Sequence, residues 1–297
     1  MFSQFSKFKR INNNNNKKSK KQNNNENKAV LKLSKKLINV CNEILKRKED
    51  KCQCYNSKNH PSKNIRECVH RNNNRNCKSY NKCKTIFSKL TSGDEPEYDP
   101  DDWSDPPIEG SHNCYAYMVN EKDTRIKNKC LDMCRNNGHN NKNCRTKKNK
   151  VNSCSNLKPQ PGNYYRKVSG AKKERIYQCP QMIQKVLNDN LDPKTKKSNI
   201  MLTTFDKKCP KKYYKGALVV DPDHTYHFYR QDSNVRFSHK QGTLRVENVD
   251  ASKNPIYVPH LSDMNYNKKK KSGGINYTDF CTYFCIPKND YIRTPIY

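Results

Sequence analysis

One cysteine and two histidines, far apart in the chain, have the types and local settings for nucleophilic chemistry. In Gly110-Ser-His-Asn-Cys-Tyr-Ala-Tyr117, Cys114 directly follows Asn113, a good helix cap, so it is expected to open a short helix, CYAYMVN. Unpaired backbone N–H groups and the positive end of the helix dipole would there favour thiolate over thiol, as a nucleophile requires. The base must come from another element. His227 lies in Tyr226-His-Phe-Tyr-Arg-Gln-Asp232 and His239 in Phe237-Ser-His-Lys240, both strand-like runs, while His224 falls in the turn Asp221-Pro-Asp-His224 and is less rigidly held. Catalysis needs the Cys114 sulfur within reach of a His227 nitrogen in an open cleft. The opposing reading is a buried core cysteine beside two satisfied structural histidines.

The chain has fifteen cysteines, an odd number, so its thiols form disulfides or hold metal and one can remain free. Cys130, Cys134, His139 and Cys144 are spaced C-x3-C-x4-H-x4-C, one residue away from a zinc knuckle, and would give a closed structural zinc site. The extra residue in the first spacer disturbs the tight turn that points N–H groups at sulfur. With Cys154 the four cysteines also make an even set in a loop poor in apolar residues, which would need cross-links to hold a shape. Disulfides are therefore the favoured expectation, zinc the lesser one, and no other cofactor is expected. Cys114 is the thiol expected to stay free.

These residues need elements to place them. Residues 1 to 28, lysines among asparagine runs, cannot bury enough apolar surface to offset chain entropy and are expected to be disordered. From Ala29 a helical stripe of Val30, Leu33, Leu37, Cys41 and Ile44, widened by Leu31, Ile38 and Leu45, runs to about Arg47 and opens a basic, Cys-rich module over 29 to 92. Residues 93 to 109, with four prolines and the only tryptophan, read as an extended linker that cannot be helical. From 110 to 297 a helix at Cys114, a Cys-rich insertion at about 128 to 157, a helix starting near Pro180 and strands at 217 to 220, 225 to 230 and 234 to 239 suit an α+β domain, helices packed on an antiparallel sheet.

Order and type together resemble the papain-like cysteine hydrolases, in which a Cys opens a helix, a His follows on a strand, and a polar residue on the neighbouring strand orients that His. Cys114, His227 and His239 keep this order. A His as third member resembles bacterial cell-wall peptidases of the NlpC type, whereas Asp or Asn in that role would fall to Asp232, Asn234 or Asn248. The resemblance implies proton removal from Cys114 by His227, an acyl-enzyme, and release by water or an amine. A tighter resemblance is to a little-described group of bacterial and large-DNA-virus proteins, carried by Asn113-Cys-Tyr-Ala-Tyr117, Lys158-Pro-Gln-Pro-Gly162, Ala217-Leu-Val-Val-Asp-Pro222, Tyr226-His-Phe-Tyr-Arg-Gln-Asp232 and Ser238-His-Lys-Gln-Gly242, over about residues 112 to 287. It implies domain boundaries and a viral source more than a reaction. The chain departs from that group in having Phe237 where Trp is expected and in its Cys-rich insertion.

Composition bounds the rest. The chain carries 60 Lys+Arg against 28 Asp+Glu, a net charge of +32, and is 32% apolar. No stretch approaches the roughly 20 apolar residues of a spanning helix, and the first 25 residues lack the apolar run of a secretory signal, so no membrane partner and no secretion by a signal peptide are expected. By segment the charge is +19 over 1 to 92 (24 basic, 5 acidic), −8 over 93 to 109 (8 acidic) and +21 over 110 to 297 (36 basic, 15 acidic). Spread in this way, it argues less for one nucleic-acid site than the total implies. Abundant Asn beside the Lys points to nucleotide bias as a second cause.

Two function classes remain. One is a cysteine hydrolase or acyltransferase acting on an amide bond, of peptide or peptidoglycan-like material, through Cys114, His227 and His239. The other is a non-enzymatic basic protein that uses the same domain as a scaffold and binds nucleic acid or another polyanion through its basic segments. Either fits a protein inside an infected cell or packaged in a virion.

Overall fold

The computed structural model describes residues 33–52, 77–140, 143–144, 152–170, 177–222, 224–267 and 274–288. The expected tail over 1 to 28 lies outside them, as do Cys54 and Cys68. The described residues form one compact unit.

At its centre is a six-stranded sheet with order β1-β6-β2-β3-β4-β5, where β1 is Met201–Thr203, β2 Tyr213–Asp221, β3 Thr225–Gln231, β4 Phe237–Lys240, β5 Val246–Glu247 and β6 Asp279–Pro287. All its pairs are antiparallel. The sheet is thus of the expected α+β class, and three of its strands fall where the alternating runs put them. The sequence reading did not include β6, which separates β1 from β2, although its Phe280 to Ile286 run is aromatic and β-branched in the manner of a strand.

Both faces of the sheet are covered. On one, Ala217, Val219, Tyr229 and Phe237 pack with α1 (Lys35–Cys52) and α2 (Lys78–Ser88). The helical stripe follows the expected one at Leu33, Ile38, Cys41 and Leu45, which are buried, and departs from it at Leu37, which faces solvent. Phe87 meets Phe205 edge-on at 5.1 Å, and the Tyr80 and Tyr257 hydroxyls are 3.1 Å apart. Core packing therefore crosses the boundary that charge suggests near residue 92.

The acidic stretch is not an extended linker but a packed strap. It holds a 3-10 turn, Asp101–Trp103, and a helix, α3 (Pro106–Ser111), whose prolines occupy the first turn, where a missing N–H costs little. Trp103 is buried, with its ring 4.9 Å from that of Tyr117. Outside it, Asp102 meets Lys122, Asp105 meets Lys127 and Asp101 meets Arg245, so the acid run folds back on basic surface.

The second face carries α4 (Cys114–Met118) and α7 (Cys179–Asp189), with Met118, Val186, Leu218, Phe228 and Phe284 in one cluster. Between them come α5 (Thr124–Asn136), capped by Asp123, and α6 (Asn163–Ser169). The Cys-rich insertion buries Ile126, Leu131 and Leu157 around two disulfides, Cys130–Cys154 and Cys134–Cys144.

Twelve of the described cysteines are paired. The remaining described bridges are Cys41–Cys83 and Cys52–Cys77 between α1 and the α2 region, Cys179–Cys281 from α7 to β6, and Cys209–Cys285, also to β6. The zinc arrangement at Cys130, Cys134, His139 and Cys144 is overturned, because all three of its thiols are spent on disulfides. Cys281 and Cys285, spaced as Cys130 and Cys134 are, reach two distant partners. Among the described residues no group of three His, Cys, Asp or Glu side chains is placed to hold a metal ion, and no helix is long and apolar enough to cross a membrane.

Candidate active site

Cys114 opens α4 as the capping residue requires. The Asn113 side-chain oxygen accepts from the N–H groups of Tyr115 (3.1 Å) and Ala116 (3.2 Å), while its amide nitrogen donates to the Pro159 carbonyl at 2.6 Å. One side chain thus starts the helix and fastens the 158–162 loop beside it. The far end of α4 is held by the Tyr214 hydroxyl, which donates to the Met118 carbonyl at 2.9 Å. Here the helix comes so close to β2 that a Cβ on Gly216 would stand 2.8 Å from Met118 Cγ and 2.5 Å from Ile286 Cδ1. No larger residue fits without a shift.

Two buried cations lock this helix to the strands that carry the histidines. Lys240, on β4, donates from Nζ to the carbonyls of Glu109 (2.7 Å), His112 (2.8 Å) and Gly242 (2.6 Å), which ties the segment before Cys114 to the turn after β4. Arg230, on β3, donates to Asp232 (3.0 Å), Asn120 (2.6 Å), the Glu97 carbonyl (3.1 Å) and the Tyr117 hydroxyl (2.9 Å), with its guanidinium 4.0 Å from the Tyr117 ring centre. Asp232 also accepts from Ser238, whose hydroxyl lies 2.6 Å from that of Tyr117. Asp232 therefore belongs to the frame. Burial raises its pKa to about 6, against the pull of Arg230.

The two histidines meet where β3 and β4 part. Those strands pair only at Arg230–Ser238 and Gln231–Phe237, and beyond this His227 Nε2 lies 2.8 Å from His239 Nδ1. His239 Nε2 lies 3.0 Å from the Val249 carbonyl oxygen. A carbonyl only accepts, so His239 carries its proton on Nε2 and its Nδ1 accepts from His227 Nε2–H. His227 is left with an unprotonated Nδ1, the form a general base needs. Burial lowers the pKa of both rings, and for His227 any charge on His239 would lower it further, so both are neutral at pH 7. Tyr277 stacks on the His227 ring at 5.3 Å.

Cys114 and His227 line one cavity of about 440 Å³, with Lys158, Gln160, Tyr226, Gln241 and Tyr277 among its walls. Cys114 is the free cysteine among the described residues, 5% exposed. Its thiol pKa is pushed up to about 11 by burial, opposed by the Phe228 N–H beside the sulfur, the Lys240 charge, and the N–H groups of Tyr115 and Cys114. The expected bias toward thiolate is thus reversed, because α4 has only five residues and desolvation outweighs its dipole. Thiol and imidazole therefore rest neutral in the wall of the same cavity rather than as an ion pair.

The other candidates fall elsewhere. His224 is exposed, with Nδ1 2.9 Å from Asp221. Asn234 accepts from the Arg236 N–H at 3.0 Å, and the Asn248 carbonyl accepts from Ile256. Lys158 and Gln160 were not foreseen as site residues, although both stand in the Lys-Pro-Gln-Pro-Gly phrase singled out in the sequence. The Tyr226 hydroxyl donates to the Gln160 side-chain oxygen.

No family model and no solved structure matches the chain. Over 47 residues, 16% of the chain, it is 49% identical to insoluble matrix shell protein 1 of Ruditapes philippinarum, and it spans 32% of that protein's length.

Proposed function

We propose that the protein is a cysteine hydrolase or acyltransferase acting on an amide bond, with Cys114 as nucleophile, His227 as general base and His239 as the residue that orients it. The observation that carries this reading is the proton order from Val249 through His239 to His227, in the wall of the cavity that also contains the free thiol. In the forward step the Cys114 proton passes to His227 Nδ1 as sulfur attacks the acyl carbon; the imidazolium then protonates the leaving amine, and water or a second amine releases the acyl group. The N–H of Cys114, which the Asn113 side chain does not engage, is the donor for the oxyanion. Peptide-like material is the broad substrate class. Six disulfides among the described residues favour work in an oxidising setting, which suits a packaged particle better than a reducing cell interior.

A second reading rests on the burial of Cys114 and its raised pKa: a disulfide-braced basic scaffold that binds nucleic acid or another polyanion without turnover. Alkylation with a neutral thiol reagent, mapped to peptides by mass spectrometry, separates the two. The enzyme reading expects modification at Cys114 that slows about a hundredfold in His227→Ala. Modification indifferent to His227 would leave the scaffold reading.

A further inference from the structure

Several tyrosine hydroxyls of this domain are spent on its frame. Tyr214 donates to the Met118 carbonyl, Tyr226 to Gln160, the Tyr117 hydroxyl lies beside that of Ser238, and the Tyr283 hydroxyl is 2.6 Å from His260 Nδ1. Tyr277 differs from these. It is 7% exposed and lines the cavity with Cys114 and His227, yet among the described residues its hydroxyl has no hydrogen-bond partner. A largely buried O–H gives up hydration, and one left unpaired in a cavity wall is available to whatever enters. Tyr266 also lines the cavity, but its hydroxyl oxygen is sealed away.

Three contacts fix the position of Tyr277. Its ring stacks on the His227 imidazole at 5.3 Å with 23° between the planes, Tyr266 meets it edge-on at 6.2 Å, and its N–H donates to the Met264 carbonyl at 3.3 Å. The hydroxyl also feels the sulfur: burial raises its pKa, and a negative charge on Cys114 raises it further. Tyr277 therefore keeps its proton, and a proton held more firmly beside an anion is one that stabilises that anion.

We propose that Tyr277 is a further catalytic residue, whose O–H joins the Cys114 N–H in holding the oxyanion. This assignment rests on the reading of Cys114 as the nucleophile. As sulfur bonds to the acyl carbon, the carbonyl π pair moves onto oxygen, and Tyr277 donates a hydrogen bond to that oxygen without losing its proton. The pair returns as the leaving group departs with the proton that His227 took from the thiol.

The test compares two reactions of Cys114, acetylation by p-nitrophenyl acetate, which builds an oxyanion, and alkylation by iodoacetamide, which does not. Tyr277→Phe keeps the stacked ring and removes only the hydroxyl. Its acetylation rate, read from nitrophenolate release and the mass of the Cys114 peptide, is expected to fall about a hundredfold while its alkylation rate changes by less than about twofold. His227→Ala, which removes the base, slows both reactions. A wild-type acetylation rate in Tyr277→Phe, or equal falls in the two rates, overturns the assignment and leaves Cys114 standing as the nucleophile. No acetylation of wild-type Cys114 overturns both. Should Tyr277→Phe fail to fold, Tyr277→Leu takes its place: a fall in acetylation beyond the fall in alkylation supports the assignment, and equal falls overturn it.

Discussion

At Cys114 two effects compete, and their sizes decide the resting chemistry. A helix of five residues contributes only part of a full dipole, while nearly complete burial raises the thiol pKa to about 11. With His227 neutral over this range and acting as base, the alkylation rate of Cys114 is expected to change little between pH 7 and 9 in wild type, and to rise about tenfold per pH unit in His227→Ala, where the thiolate must form without it. A tenfold rise per pH unit in wild type, seen in a pH–rate profile, would show that His227 takes no part. His239→Ala should slow the reaction by removing the acceptor that fixes the His227 tautomer, and His239→Gln, which keeps an acceptor, should recover part of the loss. Residue type and order alone singled out Cys114 and His227, which line one cavity, and His239, which meets His227. Their protonation was not legible, because desolvation depends on what the fold lays over a group.

Among the elements, the junction of α4 with β3 and β4 does most to fix the site, and it is built from buried charge. Arg230 and Asp232 are 1% and 0% exposed, and removing one leaves the other buried without its counter-charge. Arg230→Ala is expected to lose about 3–5 kcal/mol in urea unfolding. Arg230→Lys should recover only part of this, since an ammonium cannot reach four acceptors in a plane. The short strands β3 and β4 could be read from alternation, yet the Arg230 network could not, because it joins residues as distant as Glu97 and Ser238. The strap shows the same limit. Proline and acidic content read as a linker, and only tertiary packing around Trp103 makes it part of the body.

Over the whole molecule, covalent cross-links supplement a modest apolar content. Cys179–Cys281 closes a span of 102 residues and attaches α7 to β6, so the double replacement Cys179→Ser/Cys281→Ser is expected to cost about 4–5 kcal/mol, read from the urea midpoint. Cysteine count pointed to cross-links in general, whereas the pairing became visible only with the fold, since β6 was not foreseen and takes two bridges. Buried histidines should make the fold acid-sensitive. His112 is pushed down to about 4 by burial and by the Lys240 charge, and His227 and His239 are also lowered. Because the folded values lie below the unfolded ones, the unfolded chain binds more protons in this window, and stability falls as pH drops from about 6.5 toward 4. Asp189 and Asp232, raised to about 6, act in the opposite direction over the same range. His260, also lowered by burial, adds to the histidine side, and a loss on acidification is measurable as a falling melting temperature.

The central claim, that Cys114 forms an acyl-enzyme with His227 as its base, is tested most directly by acyl transfer from p-nitrophenyl acetate. The account predicts a burst of nitrophenolate equal to the protein present, an acetyl group on Cys114 by mass spectrometry, no burst in Cys114→Ala, and a burst about a hundredfold slower in His227→Ala. Equal nitrophenolate release by wild type and Cys114→Ala, with Cys114 unmodified, would contradict it.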